Sequence, residues 1–385
     1  MPLIPLRPIL ETTDRYGYAQ GAFNVNMVAQ AEAVIQIHNL FRSPAILQGA
    51  DLANGFMGGC TDFFHATLED KRKGAANIAK AVQVAAENAS IPIALHLDHG
   101  RDLDSVKAAI DGGYTSVMID GSSLPLEQNI ALTREVVKLA HAVGVTVEGE
   151  LGVLSGVEDH VFSEHGSYTH PLDAIRFFKE TKVDALAISY GTMHGANKGQ
   201  NAKVRKEIAI AIKECLRHEG IFGVLVSHGS STVPTYLVEA INSLGGAISN
   251  AHGISLEQLK EVGRLGIGKI NVDTDIRLAV TRNLRELFLL KPELTGDTRL
   301  NQMYQLLKAK PEAFDPRVFF PPIMDTVMYG TIPNKATEAV VNAVKQGVME
   351  MVGSLIVEFG CVGKASLVED VSLGQMADRY RKEGI

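Results

Sequence analysis

Eight short apolar runs, each followed by a longer stretch of helical spacing, set the rhythm of this chain and restrict its fold more than any other feature. The runs occupy residues 21–25, 45–48, 93–97, 116–119, 146–150, 185–190, 223–227 and 269–272. Between them, residues 27–40, 68–86, 103–111, 126–142, 171–181, 202–217 and 234–244 place apolar side chains at helical spacing with polar faces opposite. Repeated strand–helix units imply parallel strands joined by right-handed crossovers. Eight of them predict closure into an α/β, (β/α)8 TIM barrel. An open doubly wound sheet is the alternative, and the lack of a GxGxxG turn after the first run speaks against it. The rhythm stops near Leu290. We therefore read residues 1–290 as the barrel. Residues 291–385 form a C-terminal helical extension, packed on the barrel or on a neighbouring subunit, with helical stretches at 337–352 and 371–382.

Bulk properties narrow the partners. A net charge of −7 gives no case for nucleic acid or an anionic membrane. Any site for an anion has to be built locally. Cys60, Cys215 and Cys361 are far apart and form no CxxC motif, which fits a reducing, cytoplasmic setting. No run of about 18 apolar residues is present, so no membrane-spanning helix is expected. The opening MPLIPLRPILE does not read as a signal peptide.

The polar residues gather at the C-terminal ends of the runs, the face on which barrels of this kind carry their sites. The segment LeuHisLeuAspHisGly (95–100) ends an apolar strand in Asp98 and His99. His194 and His228 end two further strands. A lone histidine at such a place is commonly structural. Three of them on one barrel face make a metal site with an open position, the arrangement of catalytic zinc. His96 shares a face with Asp98 and is expected to support it. His228-Gly-Ser-Ser-Thr is a small-residue turn opening a helix near Pro234, where backbone N–H groups suit a phosphate. Asn271, Asp273 and Thr274 follow the last strand beside it. GluGlyGluLeuGly (148–152) puts two carboxylates on one face of the fifth strand, and by spacing alone Glu158 reads as a solvated loop charge. The loops 153–170 and 192–201 exceed the roughly 2–6 residues common in such units and suggest lids.

Together these segments resemble the class II, metal-dependent fructose-bisphosphate aldolases, a family that includes tagatose-bisphosphate aldolases. The matching segments are GlyAlaPheAsnVal (21–25), LeuHisLeuAspHisGly (95–100), SerValMetIleAspGlySer (116–122), GluGlyGluLeuGly (148–152), GlyThrMetHisGly (191–195), SerHisGlySerSer (227–231), AsnValAspThrAsp (271–275) and, in the tail, PheAspProArg (314–317). The resemblance implies reversible cleavage of a phosphorylated ketose between carbons three and four, giving dihydroxyacetone phosphate and an aldehyde. It implies zinc on His99, His194 and His228, with Asp120 and Glu150 at a second or displaced position. It implies that Asp98 shuttles the C4 hydroxyl proton and that Glu158 handles the proton at C3. Asn24, Gly195, Gly229, Ser230, Ser231, Asn271, Val272, Asp273 and Thr274 would surround dihydroxyacetone phosphate, with a monovalent cation, Na+ or K+, near the phosphate. Arg317 would hold the aldehyde-side phosphate.

Three departures bear on the aldehyde. Ala50 stands where relatives often carry a serine, Asn197 stands for a usual tyrosine, and the stretch 327–337 is longer than usual. A tail reaching this pocket from a neighbouring subunit would make the active unit a homodimer or higher homo-oligomer. Fructose 1,6-bisphosphate is the substrate this reading favours, with tagatose 1,6-bisphosphate as its nearest rival. A barrel metal hydrolase gives no role to 271–274, and a degenerate binding protein gives none to Asp98. A Schiff-base route needs a suitably placed lysine, and none, Lys269 included, is better placed than the histidines.

Overall fold

The computed structural model describes residues 3–154, 156–158, 161–163, 166–193, 197 and 203–384, with the side chains of 156–158 and 161–163 outside that description. Eight strands form a closed barrel: β1 Gln20–Asn24, β2 Ala45–Ala50, β3 Ile93–Gly100, β4 Ser116–Ile119, β5 Thr146–Leu151, β6 Ala185–Ile188, β7 Val224–Ser227 and β8 Ile267–Val272. Every neighbouring pair is parallel, and β1 closes the ring against β8, with Phe23 in register with Val272. The (β/α)8 fold read from the sequence is the fold observed, helical extension included.

The period of two along each strand sorts the side chains into two cores. Phe23, Leu47, Leu95, Leu97, Val117, Val147, Leu186, Leu225 and Ile270 join the layer between strands and helices. Ala22, Ile46, Ala94, Ala185, Ala187, Val224 and Val226 face a smaller cluster within the ring. That cluster is completed from below by Ile4, Leu6, Ile9 and Leu10. The last two lie on a helix the sequence reading left unassigned, Arg7–Tyr16, which has a proline in its first turn and ends at Gly17 with φ 64°. Some helix starts carry a capping side chain. Thr67 and Asp70 form a reciprocal capping box on Leu68–Ala86, and Asp102 accepts from the Ser105 amide to start Leu103–Gly112.

The extension packs on its own barrel. Helix Lys335–Glu358 lies on helices Val28–Phe41 and Thr274–Leu290. It is long and apolar enough to cross a membrane by length and composition, where the sequence reading expected no such helix. Val340, Val344, Val348, Val352 and Leu355 are buried against the barrel helices, which gives the apolar face an occupant within the protein. Helix Leu373–Lys382 is fastened to the barrel floor: the Tyr380 hydroxyl donates to Asp184 at 3.0 Å, and the Tyr380 ring stacks on His141, which bonds the same carboxylate at 2.9 Å.

Candidate active site

At the C-terminal mouth the strand ends meet. His99 and His228 approach edge to face, with His99 Nε2 3.0 Å from His228 Nδ1. Two zinc–nitrogen bonds of about 2.0–2.1 Å at a tetrahedral angle would separate these atoms by roughly 3.3 Å. The pair is therefore close to the spacing that one shared cation requires. Asp98, His99 and His228 offer ligand atoms within 4.8 Å of one another, as do His99, Asp120 and Glu150. His99 belongs to both groups because its two ring nitrogens face different ways. Nε2 meets His228, while Nδ1 lies 3.6 Å from Asp120 and 3.9 Å from Glu150. Its backbone is at φ 52°, a left-handed conformation uncommon for a residue with a Cβ.

The tautomer of His228 follows from its partners. Nε2 is 2.7 Å from Glu148 Oε1. An ionised carboxylate can only accept, so the proton sits on Nε2 and the lone pair of Nδ1 points at the metal position. Burial alone would raise the Glu148 carboxyl, but the Lys269 charge and the His228 bond outweigh it and hold it well below the usual range. Burial likewise lowers His228 and favours the neutral ring a metal needs. Lys269 Nζ lies 2.9 Å from Glu148 Oε2 and donates to Asn271 Oδ1 at 2.7 Å. This lysine is fully buried and spoken for, which leaves it to support the site rather than to attack a carbonyl.

Asp98 is oriented by two amides. Asn24 Nδ2 donates to one oxygen at 2.9 Å and Asn271 Nδ2 to the other at 3.1 Å. Gln48 in turn donates to Asn24 Oδ1 at 2.8 Å. Asn24 and Asn271, singled out as substrate contacts, thus both serve Asp98 in this structure. His96 faces the interior, bonded to Ser116 at 2.8 Å and 3.4 Å from Glu148. Asp120 accepts from the Ser122 amide and hydroxyl at 3.0 and 2.7 Å. Burial pushes its carboxyl up, but His99 and these bonds prevail and hold it well below the ordinary value.

On the phosphate side, Gly229 has φ 59°, and a Cβ there would stand 2.4 Å from the Met193 carbonyl oxygen. The loops after β6 and β7 are thereby held in contact. Ser230 and Ser231 are buried just beyond. The Val272 side chain belongs to the outer core, so only its backbone can face the mouth. Asp273 pairs with Arg277, and Thr274 opens helix Thr274–Leu290. His194 and Gly195 lie outside the described residues. The Glu158 side chain does too, although its backbone pairs with Val161 in the hairpin Gly156–Glu158/Val161–Ser163 that follows β5.

Arg317 is almost fully buried, its guanidinium carbon 4.3 Å from the centroid of Phe63 and its Nη2 2.7 Å from Asp315 Oδ2. Phe63 sits in the turn Phe63–His65, shortly after the helix that follows β2. Of the two packings left open for the tail, the one observed is on its own barrel: the same chain delivers Arg317 to the β2 side. The reason is local, since Asp315 accepts from the Arg317 amide and side chain and folds PheAspProArg into a tight turn. Ala50, the last residue of β2, is in register with Asp98.

Gln48, Glu148 and Lys269 are the members of this cluster that spacing did not assign a task. Their signal was a polar side chain within an otherwise apolar strand. One consequence is measurable: Glu148→Gln leaves one acceptor oxygen for His228 and Lys269 to share, turns an –NH2 donor toward the other, and strips Lys269 of its counter-charge. We expect metal affinity to fall about 10–100-fold, read by competition with a chromogenic chelator.

Polar strand tips, two facing histidines and flanking carboxylates on a (β/α)8 barrel are the donor set of a metal-assisted barrel enzyme. Comparison with known proteins gives the family. The family model described as fructose-bisphosphate aldolase class-II matches residues 4–364. A fructose-bisphosphate aldolase of Giardia intestinalis is 37% identical over 335 residues, covering 86% of this chain and 92% of that protein. One from a Nostoc species is 34% identical over 401 residues, covering 99% and 96%. The crystal structure of a fructose-bisphosphate aldolase from Campylobacter jejuni superposes with a TM-score of 0.64 at 21% identity, covering 94% of this chain and 97% of that one, and shares the fold. This chain belongs to the class II fructose-bisphosphate aldolase family, whose members are metal-dependent lyases acting on small phosphorylated sugars.

Proposed function

We propose that this protein is a cytoplasmic, zinc-dependent aldolase. It would reversibly cleave fructose 1,6-bisphosphate to dihydroxyacetone phosphate and glyceraldehyde 3-phosphate, in glycolysis and gluconeogenesis, as a homodimer or higher homo-oligomer. The observation that carries the zinc reading is the facing pair His99 Nε2 and His228 Nδ1, with Glu148 fixing the tautomer. His194 is the third ligand in this reading, supported by the contact between Met193 and Gly229 beside it. Bound there, the metal would act as a Lewis acid on the substrate's carbonyl and hydroxyl oxygens. Asp120 and Glu150 would offer a second position, and a Na+ or K+ ion would lie near the phosphate.

The chain's own residues supply the rest. Asp98, held by two amides, takes the proton of the C4 hydroxyl during cleavage and returns it in condensation. Glu158 serves the proton at C3. The backbone of Gly195, Gly229 and 272–274, with Ser230 and Ser231, grips the dihydroxyacetone phosphate end. Arg317 grips the other phosphate.

Ala50 makes the aldehyde side the sensitive part of this assignment. A hydrogen bond to a charged group contributes about 1.5–3 kcal/mol. Ala50→Ser is therefore expected to lower the KM for the bisphosphate. Arg317→Ala should raise it at least roughly tenfold and spare dihydroxyacetone phosphate. Steady-state kinetics with fructose and tagatose bisphosphates side by side test both the pocket and the sugar. Unchanged kinetics in Arg317→Ala would remove the tail from the site and favour an aldehyde without a phosphate.

A further inference from the structure

The loop after β7 is shaped by groups that never reach its mouth-facing surface. Val233 has φ 46°, although it is β-branched and precedes Pro234. A β-branched residue at positive φ is a genuine outlier, and the following proline restricts it further. Such strain persists only where the surroundings over-determine it.

Two anchors do so here. At the far end of the loop, the carboxylate of Asp275, fully buried, accepts from the Val233 amide at 2.7 Å, the Thr232 amide at 2.8 Å and the Thr232 hydroxyl at 2.9 Å. At the near end, the Tyr190 hydroxyl lies 2.5 Å from Ser227 Oγ, which lies 2.5 Å from Ser230 Oγ. All three side chains are buried. Either hydroxyl of each pair can be the donor. Ser230 Oγ also lies 3.2 Å from the Ser227 and His228 carbonyl oxygens.

We propose that Asp275 and Tyr190 are positioning residues that hold the 229–233 loop in a phosphate-binding shape from its two ends. The proposal rests on the reading of this loop as a phosphate holder. It assigns the dihydroxyacetone phosphate end of specificity partly to side chains behind the loop. Asp275 comes from the segment after β8 and Tyr190 from the segment after β6. The loop's shape is thereby tied to both neighbouring strand ends, in keeping with the support that precise sites require.

The test uses the zinc-loaded enzyme and two probes, dihydroxyacetone phosphate and dihydroxyacetone, titrated into wild type, Asp275→Asn, Tyr190→Phe, Thr232→Val and Ser231→Ala. Asp275→Asn and Tyr190→Phe should each weaken dihydroxyacetone phosphate roughly tenfold, the scale of one bond to a charged group. Affinity for dihydroxyacetone and the metal content should not follow. A merely structural role would lower the melting temperature and weaken both probes alike, and that result overturns the proposal. So does an unchanged preference for the phosphorylated probe. If Asp275→Asn does not fold, Thr232→Val and Tyr190→Phe carry the same test. If wild type shows no preference between the probes, or Ser231→Ala leaves it intact, the phosphate reading of the loop itself is at fault.

Discussion

Asp98→Asn is expected to keep its zinc and lose about 10²–10⁴-fold in kcat for ketose bisphosphate cleavage, the range of a positioned acid–base group. The carboxylate is buried and receives one amide donor on each oxygen, from Asn24 and Asn271. Those bonds aim it at the same space that His99 and His228 face. Asparagine keeps the volume and removes the carboxylate, while turning one –NH2 toward the Asn24 or Asn271 amide. Because Asp98 also lies within ligand reach of both histidines, metal content must be measured alongside turnover. Zinc retained with turnover lost identifies a proton carrier. Zinc lost in step with turnover would make Asp98 a ligand instead.

The histidine substitutions should have the larger effect. His99→Ala or His228→Ala removes one of two nitrogens that face each other at 3.0 Å. Lewis-acid stabilisation is worth several kcal/mol, and each 1.36 kcal/mol is a factor of ten in rate. Turnover should fall by at least about 10³-fold, with zinc absent from the purified protein. His228→Ala also leaves Glu148 with one partner fewer in a fully buried position, so its melting temperature should drop more than that of His99→Ala. Calorimetry beside metal analysis separates the two effects. A zinc-replete, active His228→Ala protein would contradict the site as described.

Why some of this was legible in the sequence and some was not has physical reasons. A strand such as 93–97 is readable because a short apolar run closed by the polar Asp98-His99-Gly100 marks where the run ends. The strand in fact continues to Gly100. Its last residues carry His99 at φ 52°, a conformation the neighbouring strands impose and no local propensity signals. Helix Arg7–Tyr16 precedes the first strand and so lies outside the strand–helix repeat from which the helices were read. Pro8 sits in its first turn, where its lost N–H costs nothing. The polar residues of the site announced themselves singly, but their pairing did not. Asn24 and Asn271 meet at Asp98 only because closure brings β1 against β8 and β2 against β3. The same closure sets Lys269 on Glu148 across the barrel interior. Arg317 was picked out by PheAspProArg, whereas its delivery by the same chain depends on how the tail folds back toward the turn at Phe63. Asp275 was part of a matched segment without a task, because its partners, Thr232 and Val233, belong to another loop.

The most direct test of the central claim is cleavage of fructose 1,6-bisphosphate by the purified protein. It is followed through dihydroxyacetone phosphate release before chelation, after chelation, and after zinc is returned. Metal-assisted chemistry at His99 and His228 predicts activity that disappears with the metal, returns with zinc, and leaves no lysine adduct when substrate and borohydride are added together. Full activity in the metal-free protein, or a borohydride-trapped lysine, would contradict it.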